Sequence, residues 1–593
     1  MEGAGGPGIR RTGRSLTMLT RSVPSARRIF WLLLVTYFLL AAHFTFPNHG
    51  GSGLELPQNL VGWCFIALLV GLGFWTWTRR KRVCFTPLTL WFMGGALLLA
   101  LPQLYPIAVS PGGAGLRLLG LAGGVALFFA LQQQPWRRRT WFALLELILI
   151  CVALQAAVGL IQYFVLEPGN FLGFNKLENR PHGTFQQVNV MASFMATGLL
   201  LSVYLLIEDK ESRSPSIRWL AYFQVFASAL LLVVIQSRTG QLGALLGILL
   251  LLPALLKSRL RIVLNVTVLI GLGITLAFLS RTVVTQVERP LSVYEDPGAR
   301  TVIYEQSAEL AISGGLIGHG YGQFESSWRR HHAAKAAPPG NVIRGLHALN
   351  HPHNETLYWW VEGGVVALLG LLMLAYGFLN GLMALPTQKI GVLLALPTPI
   401  LIHMQTEYPI YHSTLHWMVL VIFLAFIDAE IHQRRWVRLP RVVLPAALSL
   451  LIPLLTITLM LTGLQSLLHL TQLEASKPKN YQHLIQVWNP MADIDRFQFH
   501  LMELRLLTAI SQSDRDELEA FIDWVQSRRA IEPRIPYFFN EVLALHALER
   551  HSEAEALLDH ARYLFGDAPE LAQLNAVSKG TTLLISTESD QTK

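Results

Sequence analysis

Long apolar runs alternate with short polar joints over most of the chain. Runs of about 20 mostly apolar residues, enough to cross a bilayer as a helix, occur near 30–47, 58–77, 85–103, 115–132, 141–165, 188–207, 219–236, 240–256, 262–279, 356–378, 389–405, 413–430 and 442–463. This predicts an all-α polytopic membrane protein with about thirteen spanning helices. Past residue 464 the pattern changes, and Glu, Asp, Gln and Arg recur at helical spacing, as in a soluble helical domain. Within it, 535–572 reads as two amphipathic helices broken at Arg550–His551. Ala and Leu at the contact positions fit a tetratricopeptide-like pair, and equally any helical hairpin that buries one face.

The polar joints set an orientation. Arg10, Arg11, Arg14, Arg21, Arg27 and Arg28 precede the first run, and no small-residue cleavage site follows it, so it reads as a retained anchor with a cytoplasmic amino terminus. Basic clusters then recur in every second joint: Arg79–Arg82, Arg137–Arg139, Lys210 with Arg213 and Arg218, Lys257 with Arg259 and Arg261, Lys389, and Arg434–Arg441. The joints between them, such as 48–57 and 104–114, carry almost no Lys or Arg. The expected organisation is a basic cytoplasmic segment 1–29, nine helices over 30–279, a large outside loop 280–355, four helices over 356–463, and an outside helical domain 464–593.

Composition agrees. Of 593 residues 52% are hydrophobic and 14% charged, against about 25% charged in an ordinary soluble protein, and the mean hydropathy is +0.41. The net charge of +9 resembles a nucleic-acid footprint, but its arginines sit between apolar runs, so topology accounts for them and no nucleic-acid partner is expected. Cys64 and Cys151 fall inside runs and Cys84 opens one, so there is no disulfide framework or zinc ligand set.

Four outside elements hold polar chemistry that an anchor does not need. In 179–192 (NRPHGTFQQVNVMA), Arg180, His182, Gln187 and Asn189 crowd one helix end. In QSRTGQ (236–241) Arg238 sits in a very short turn. The long loop contains Arg281, Arg289, Arg300, Arg329, Arg330 and Arg344, with five histidines between His331 and His353 and no obvious helix or strand pattern. It ends in HPHNETLYWWVEGG (351–364), where Pro352 disfavours helix, Asn354 is a plausible cap, and Glu355 and Glu362 share a helix face. In QTEYPIYHSTLH (405–416), Glu407, Tyr408, Tyr411, His412 and His416 gather at another helix end. Together these supply guanidinium groups for a phosphate-rich ligand and a candidate base at one membrane surface.

In order and rough spacing, these elements resemble the membrane O-antigen ligase and polymerase superfamily, and within it the bacterial protein O-oligosaccharyltransferases of the PglL type. GTFQQVN (183–189) is similar to the family's glutamine-asparagine loop, SRTG (237–240) to its arginine turn, and 299–324 to its arginine before a helix and GxGxxxF segment. HPHN with the following Glu-Gly matches at 351–364, and EYPIYH (407–412) matches in part. Thr184, Gln186, Val188 and His412 depart from the family's preferred Asn, Gly, Pro and small residue.

The resemblance implies a periplasmic active site in the inner membrane that moves a preassembled glycan from undecaprenyl diphosphate to a hydroxyl. The acceptor would be Ser or Thr of a periplasmic protein, pilin-like proteins among them, and no metal or other cofactor would take part. It implies catalytic roles for His353 as base and for Arg238 and Arg300 at the diphosphate. Substrate contacts would come from Arg180, Gln187, Asn189, Asn354, Glu355, Glu407 and Tyr411. Plainer readings stand beside these: Arg238 as a snorkelling interfacial anchor, His353 as a residue of a helix cap, Glu362 as a structural partner inside the bundle. His331, His332, His347 and His351 read as an exposed basic stretch or as zinc ligands. Ligation of O-antigen to lipid A core, O-antigen polymerisation and, from another class, transport remain alternatives.

Overall fold

The computed structural model describes residues 25–48, 50–105, 111–170, 173–208, 214–287, 299–336, 349–566, 568 and 570–571, with side chains in the fourth helix from residue 114. Arg289, Arg344 and His347, the arginines before Ala26 and the polar joint 209–213 lie outside the described residues.

Nine helices come first: α1 Ala26–Leu39, α2 Pro57–Arg80, α3 Pro87–Ala100, α4 Pro111–Gln132, α5 Arg138–Phe164, α6 Val188–Ile207, α7 Pro215–Ile235, α8 Arg238–Leu256 and α9 Leu260–Ser280. Within the long loop lie α10 Ala299–Ser313 and α11 Phe324–Lys335; then come α12 Glu355–Met383, α13 Thr387–Ala395, α14 Thr398–Met404, α15 Thr414–Ile431 and α16 Val443–Ala475. The tail adds α17 Ile494–Gln512, α18 Arg515–Ile531, α19 Ile535–Ala547 and α20 His551–Phe565. Among the described residues twelve helices are long and apolar enough to cross a membrane. The run at 389–405 folds instead as the pair α13 and α14, because Pro397 has no N–H to continue the helix across the joint.

Helix α6 is buried on nearly every face, against α5, α7, α8 and α14, which is why its sequence is apolar all round. Helices α9 and α16 are peripheral and present exposed leucines. The basic joints gather at one end of the bundle. There, strands β1 (Arg82–Phe85) and β2 (Arg435–Arg438) pair antiparallel, with Arg82 opposite Arg438. Arg138 bridges Glu208 and Glu430, and Lys389 reaches Glu430 at 2.8 Å.

The long loop departs from expectation in having two helices. Helix α11 buries Arg329 and His332 beside Phe324 and Trp328, so charged residues on its inner face hide the period in the sequence. Its Ala333 belongs to the apolar core of the tail, and Arg534 clamps Glu325 with two bonds of 2.9 Å. Helix α12 is broken at Gly364, whose φ of +64° a Cβ would strain. The carbonyls freed at Val361 and Glu362 accept the amides of His319 and Gly320, both at 2.9 Å, so the GxGxxxF segment docks into the break.

Candidate active site at the mouth of the helix bundle

The end opposite the basic joints is built from capped helix starts. Gln187 accepts the Asn189 and Val190 amides at the start of α6, Ser237 the Gly240 amide of α8, Asn354 the Leu357 amide of α12, and Ser413 the His416 amide of α15. Before three of these caps stands a non-glycine residue in the left-handed region: Gln186 at φ 59°, Gln236 at 54° and His353 at 55°. Strain of this kind is retained where the surrounding contacts over-determine the backbone.

Glu407 ties the starts together. It accepts Arg300 Nη2 at 2.5 Å, Asn189 Nδ2 at 2.6 Å and Gln187 Nε2 at 3.2 Å, with His403 Nε2 at 3.5 Å. Asn189 Oδ1 accepts Ser237 Oγ at 2.7 Å, which fixes the arginine turn, and Thr239 meets Thr406 at 3.0 Å. Arg180 braces the same turn from below, donating to the Ile235 carbonyl at 2.6 Å and to Gln236 O at 3.2 Å. From Glu407 a buried chain runs inward through His403, Ser193 and His416 to Ser413.

His353 sits beside this cluster with its peptide held on both sides. Its N–H donates to His351 Nδ1 at 2.9 Å, and Tyr304 OH donates to its carbonyl at 3.1 Å and to Gln405 O at 3.2 Å. Accepting at Nδ1 leaves the His351 proton on Nε2, which faces Glu355 at 3.4 Å. Asn354 Nδ2 reaches Gln405 O at 3.1 Å. The His353 ring is flanked by Tyr408, and its Nδ1 is enclosed without a hydrogen-bond partner among the described residues. Burial pushes His353 down to about 4, against the opposing pull of the Glu407 charge. Glu407 is itself held at about 2: burial works against its charge, and the His403 hydrogen bond with the charges of His403, Arg300 and His353 outweighs it.

Glu355 and Tyr411 lie behind this layer. Glu355 is buried, and its Oε1 accepts Tyr411 OH and Trp359 Nε1, both at 2.8 Å. Its bonds among the described residues go to His351, Tyr411 and Trp359, so the structure puts it in support of His351. Glu362 likewise takes the structural alternative: it accepts Arg117 at 2.5 Å and the Gly322 and Phe324 amides at 3.0 Å. Of the histidines weighed as zinc ligands, His331 pairs with Glu309 at 2.8 Å, His332 with Gln306 at 2.9 Å, and His351 with Glu355.

Sequence reasoning missed Arg117, His403, Tyr304 and Ser237. Arg117 packs its guanidinium 4.2 Å from both the Tyr358 and Trp359 rings. As an ionisable residue in an apolar run it had a readable signal, since such a residue is costly in a membrane without a function or a partner. His403 lies in the run that folds as α14, and Tyr304 on a helix the pattern did not disclose.

Helix starts carry about half a positive charge each and attract anions. Arg238 is the first residue of α8 and Arg300 the second of α10. Cations there oppose the helix dipole, and an acid in the mouth relieves that opposition. Glu407 does so for Arg300. The arrangement therefore suits a polyanion, beside a neutral imidazole.

Family comparisons meet this geometry. The chain matches a model described as "Protein glycosylation ligase" over 181–206, "O-Antigen ligase" over 223–372 and "Virulence factor membrane-bound polymerase, C-terminal" over 392–578. The first covers the Gln187 loop, the second the Arg238, Arg300 and His353 elements, the third the Glu407 element and most of the tail. No match is found among curated proteins. The helices define a polytopic membrane protein, and these matches indicate glycan transfer. The three partial matches together support the O-antigen ligase and PglL-type superfamily.

Proposed function

We propose that the chain is a protein O-oligosaccharyltransferase that moves a preassembled glycan from undecaprenyl diphosphate to Ser or Thr hydroxyls of periplasmic proteins, pilin-like proteins among them. The observation that supports this reading is the His353 ring beside the cluster in which Arg300, Glu407, Asn189 and the Arg238 turn converge at the helix starts. The basic joints at the opposite end support a cytoplasmic location for that end, and in this reading the mouth and the tail are periplasmic.

In this reading Arg238 and Arg300 bind the diphosphate with charge-assisted hydrogen bonds that strengthen as negative charge builds on the leaving oxygen. Gln187 and Asn189 hold Glu407, and Glu407 holds Arg300. His353 takes the acceptor hydroxyl proton as that oxygen bonds to the sugar anomeric carbon. The bond from that carbon to the diphosphate oxygen breaks with it, and undecaprenyl diphosphate leaves with the electron pair. Diphosphate is already a good leaving group, so the scheme needs neither a strong acid nor a metal. The Glu355 and Tyr411 pair keeps His351, and through it the His353 peptide, in place.

The test is expression in a bacterial host given a lipid-linked oligosaccharide and a periplasmic acceptor protein. A glycan mass on acceptor Ser or Thr that vanishes with His353→Ala supports the proposal. The O-antigen ligase match over 223–372 favours a second reading, with the same donor and lipid A core as acceptor. Glycan on lipid A core with none on the protein would select it.

A further inference from the structure

The tail leaves the bundle and then returns to it. Helix α16 extends about 18 Å past Gly463 before ending at Ala475. Gly463 faces Leu60, the fourth residue of α2, and Leu60, Met460 and Leu467 share one apolar cluster. This stretch therefore marks the level at which α2 enters the bundle. The segment after Ala475 doubles back to that level. Gln465 brackets the turn, donating to Gln486 O at 2.6 Å and accepting the Trp488 amide at 3.0 Å. Asn489 donates its amide to Ser466 Oγ at 3.0 Å and its Nδ2 to Thr462 Oγ1 at 2.9 Å, and Ala492 packs on Gly463.

These bonds tie the polar groups of the turn to α16 and leave its large apolar side chains outward. Ile485 is 80% exposed, Trp488 74% and Met491 69%. The helix beside them is itself lipid-facing, with Leu450, Leu454, Leu461 and Leu468 exposed along it. The apolar turn thus continues the membrane surface of α16, at the depth where tryptophan side chains favour the boundary between headgroups and acyl chains. We propose that 485–491 is a membrane anchor: Ile485, Trp488 and Met491 insert into the leaflet around the mouth and hold the helical tail at a fixed height over it. The occupant is the bilayer boundary, chosen because the turn is continuous with a spanning helix and fixed at its rim. The inference rests on the membrane fold and not on the reaction assigned above.

The test uses the full chain in lipid nanodiscs at one copy per disc, with Cys64, Cys84 and Cys151 replaced by alanine. A fluorophore is attached at Trp488→Cys and, as control, at Asp516→Cys on exposed α18. Lipids with a nitroxide high on the acyl chain should quench the first label at least about twofold more than the second, as expected of an interfacial side chain. A water-soluble paramagnetic quencher should act more strongly on the control. Equal response of the two sites to both quenchers would overturn the anchor. So would protection from lipid and water quenchers alike that appears only with two copies per disc, since the patch would then be a contact between copies.

Discussion

His353 concentrates the chemistry of the account in one ring. A histidine whose pKa is lowered by burial stays neutral in the folded protein as pH falls, while in the unfolded chain it takes up a proton below its usual 6.5. Two consequences follow in opposite senses. A base at His353, as proposed, would remain available down to about 4, so the acid limb of kcat/KM should lie near that value and not near 6.5. The contribution of His353 to stability is instead lost progressively as pH drops from 6.5 to 4. Replacing it with alanine should reduce transfer by about 100-fold or more while membrane insertion is retained; wild-type product would remove it from the mechanism. Glu407→Gln deletes the charge that favours the imidazolium, so the acid limb should move lower still. It also releases Arg300, and the KM for the lipid-linked donor should rise about tenfold, the scale of one charge-assisted hydrogen bond. An unchanged pH profile in that variant would show that Glu407 does not act on His353. At this scale the sequence disclosed the residues that sit at helix ends in polar joints, Arg238, Arg300, His353 and Glu407 among them. It did not disclose that Glu355 turns away to bond Tyr411 and Trp359, since seven-residue spacing on a helix states a face and not its partners.

Elements at the mouth work because their starts are held at one level. The break in α12 at Gly364 lets the 314–322 loop enter the helix and so fixes where its first two turns, and His353 before them, stand. A Cβ at Gly364 would meet the Leu316 carbonyl and the Gly318 amide, at a φ that side chains rarely adopt. Gly364→Ala should therefore cost about 1–3 kcal/mol and lower the melting temperature in detergent, with a fall in transfer although no substrate contact is changed. Full activity with an unchanged melting point would mean that the break does not position the site. Most spanning helices were legible because their apolar stretches exceed the length of a core helix. The break at Pro397, helices α10 and α11, and the kink at Gly364 were not. The break at Pro397 is local and its proline reads as part of one apolar run, whereas α10, α11 and the kink depend on a carbonyl or an inner face whose partner lies far away in sequence, as when Glu362 O receives Gly320 N.

For the whole molecule, the basic joints at one end and the mouth at the other set the proposed orientation. A reporter fused after residue 465 should read as periplasmic, and a cytoplasmic signal would place the mouth on the wrong side for the proposed donor and acceptor. The tail and the long loop form one unit through α11, because Ala333 lies in the tail core and Arg534 holds Glu325. Sequence separated them at 355 and 464, since contact between distant segments leaves no mark in local periodicity. In the proposed reaction His353 is the base and the arginines hold the diphosphate. Its most direct test is single-turnover transfer by the purified full chain in nanodiscs, with a lipid-linked oligosaccharide and an acceptor protein, read as glycopeptide by mass spectrometry. Intact protein should yield glycan on Ser or Thr, and both His353→Ala and Arg238→Ala should yield essentially none. Glycopeptide formed at the intact rate by either variant would contradict the account.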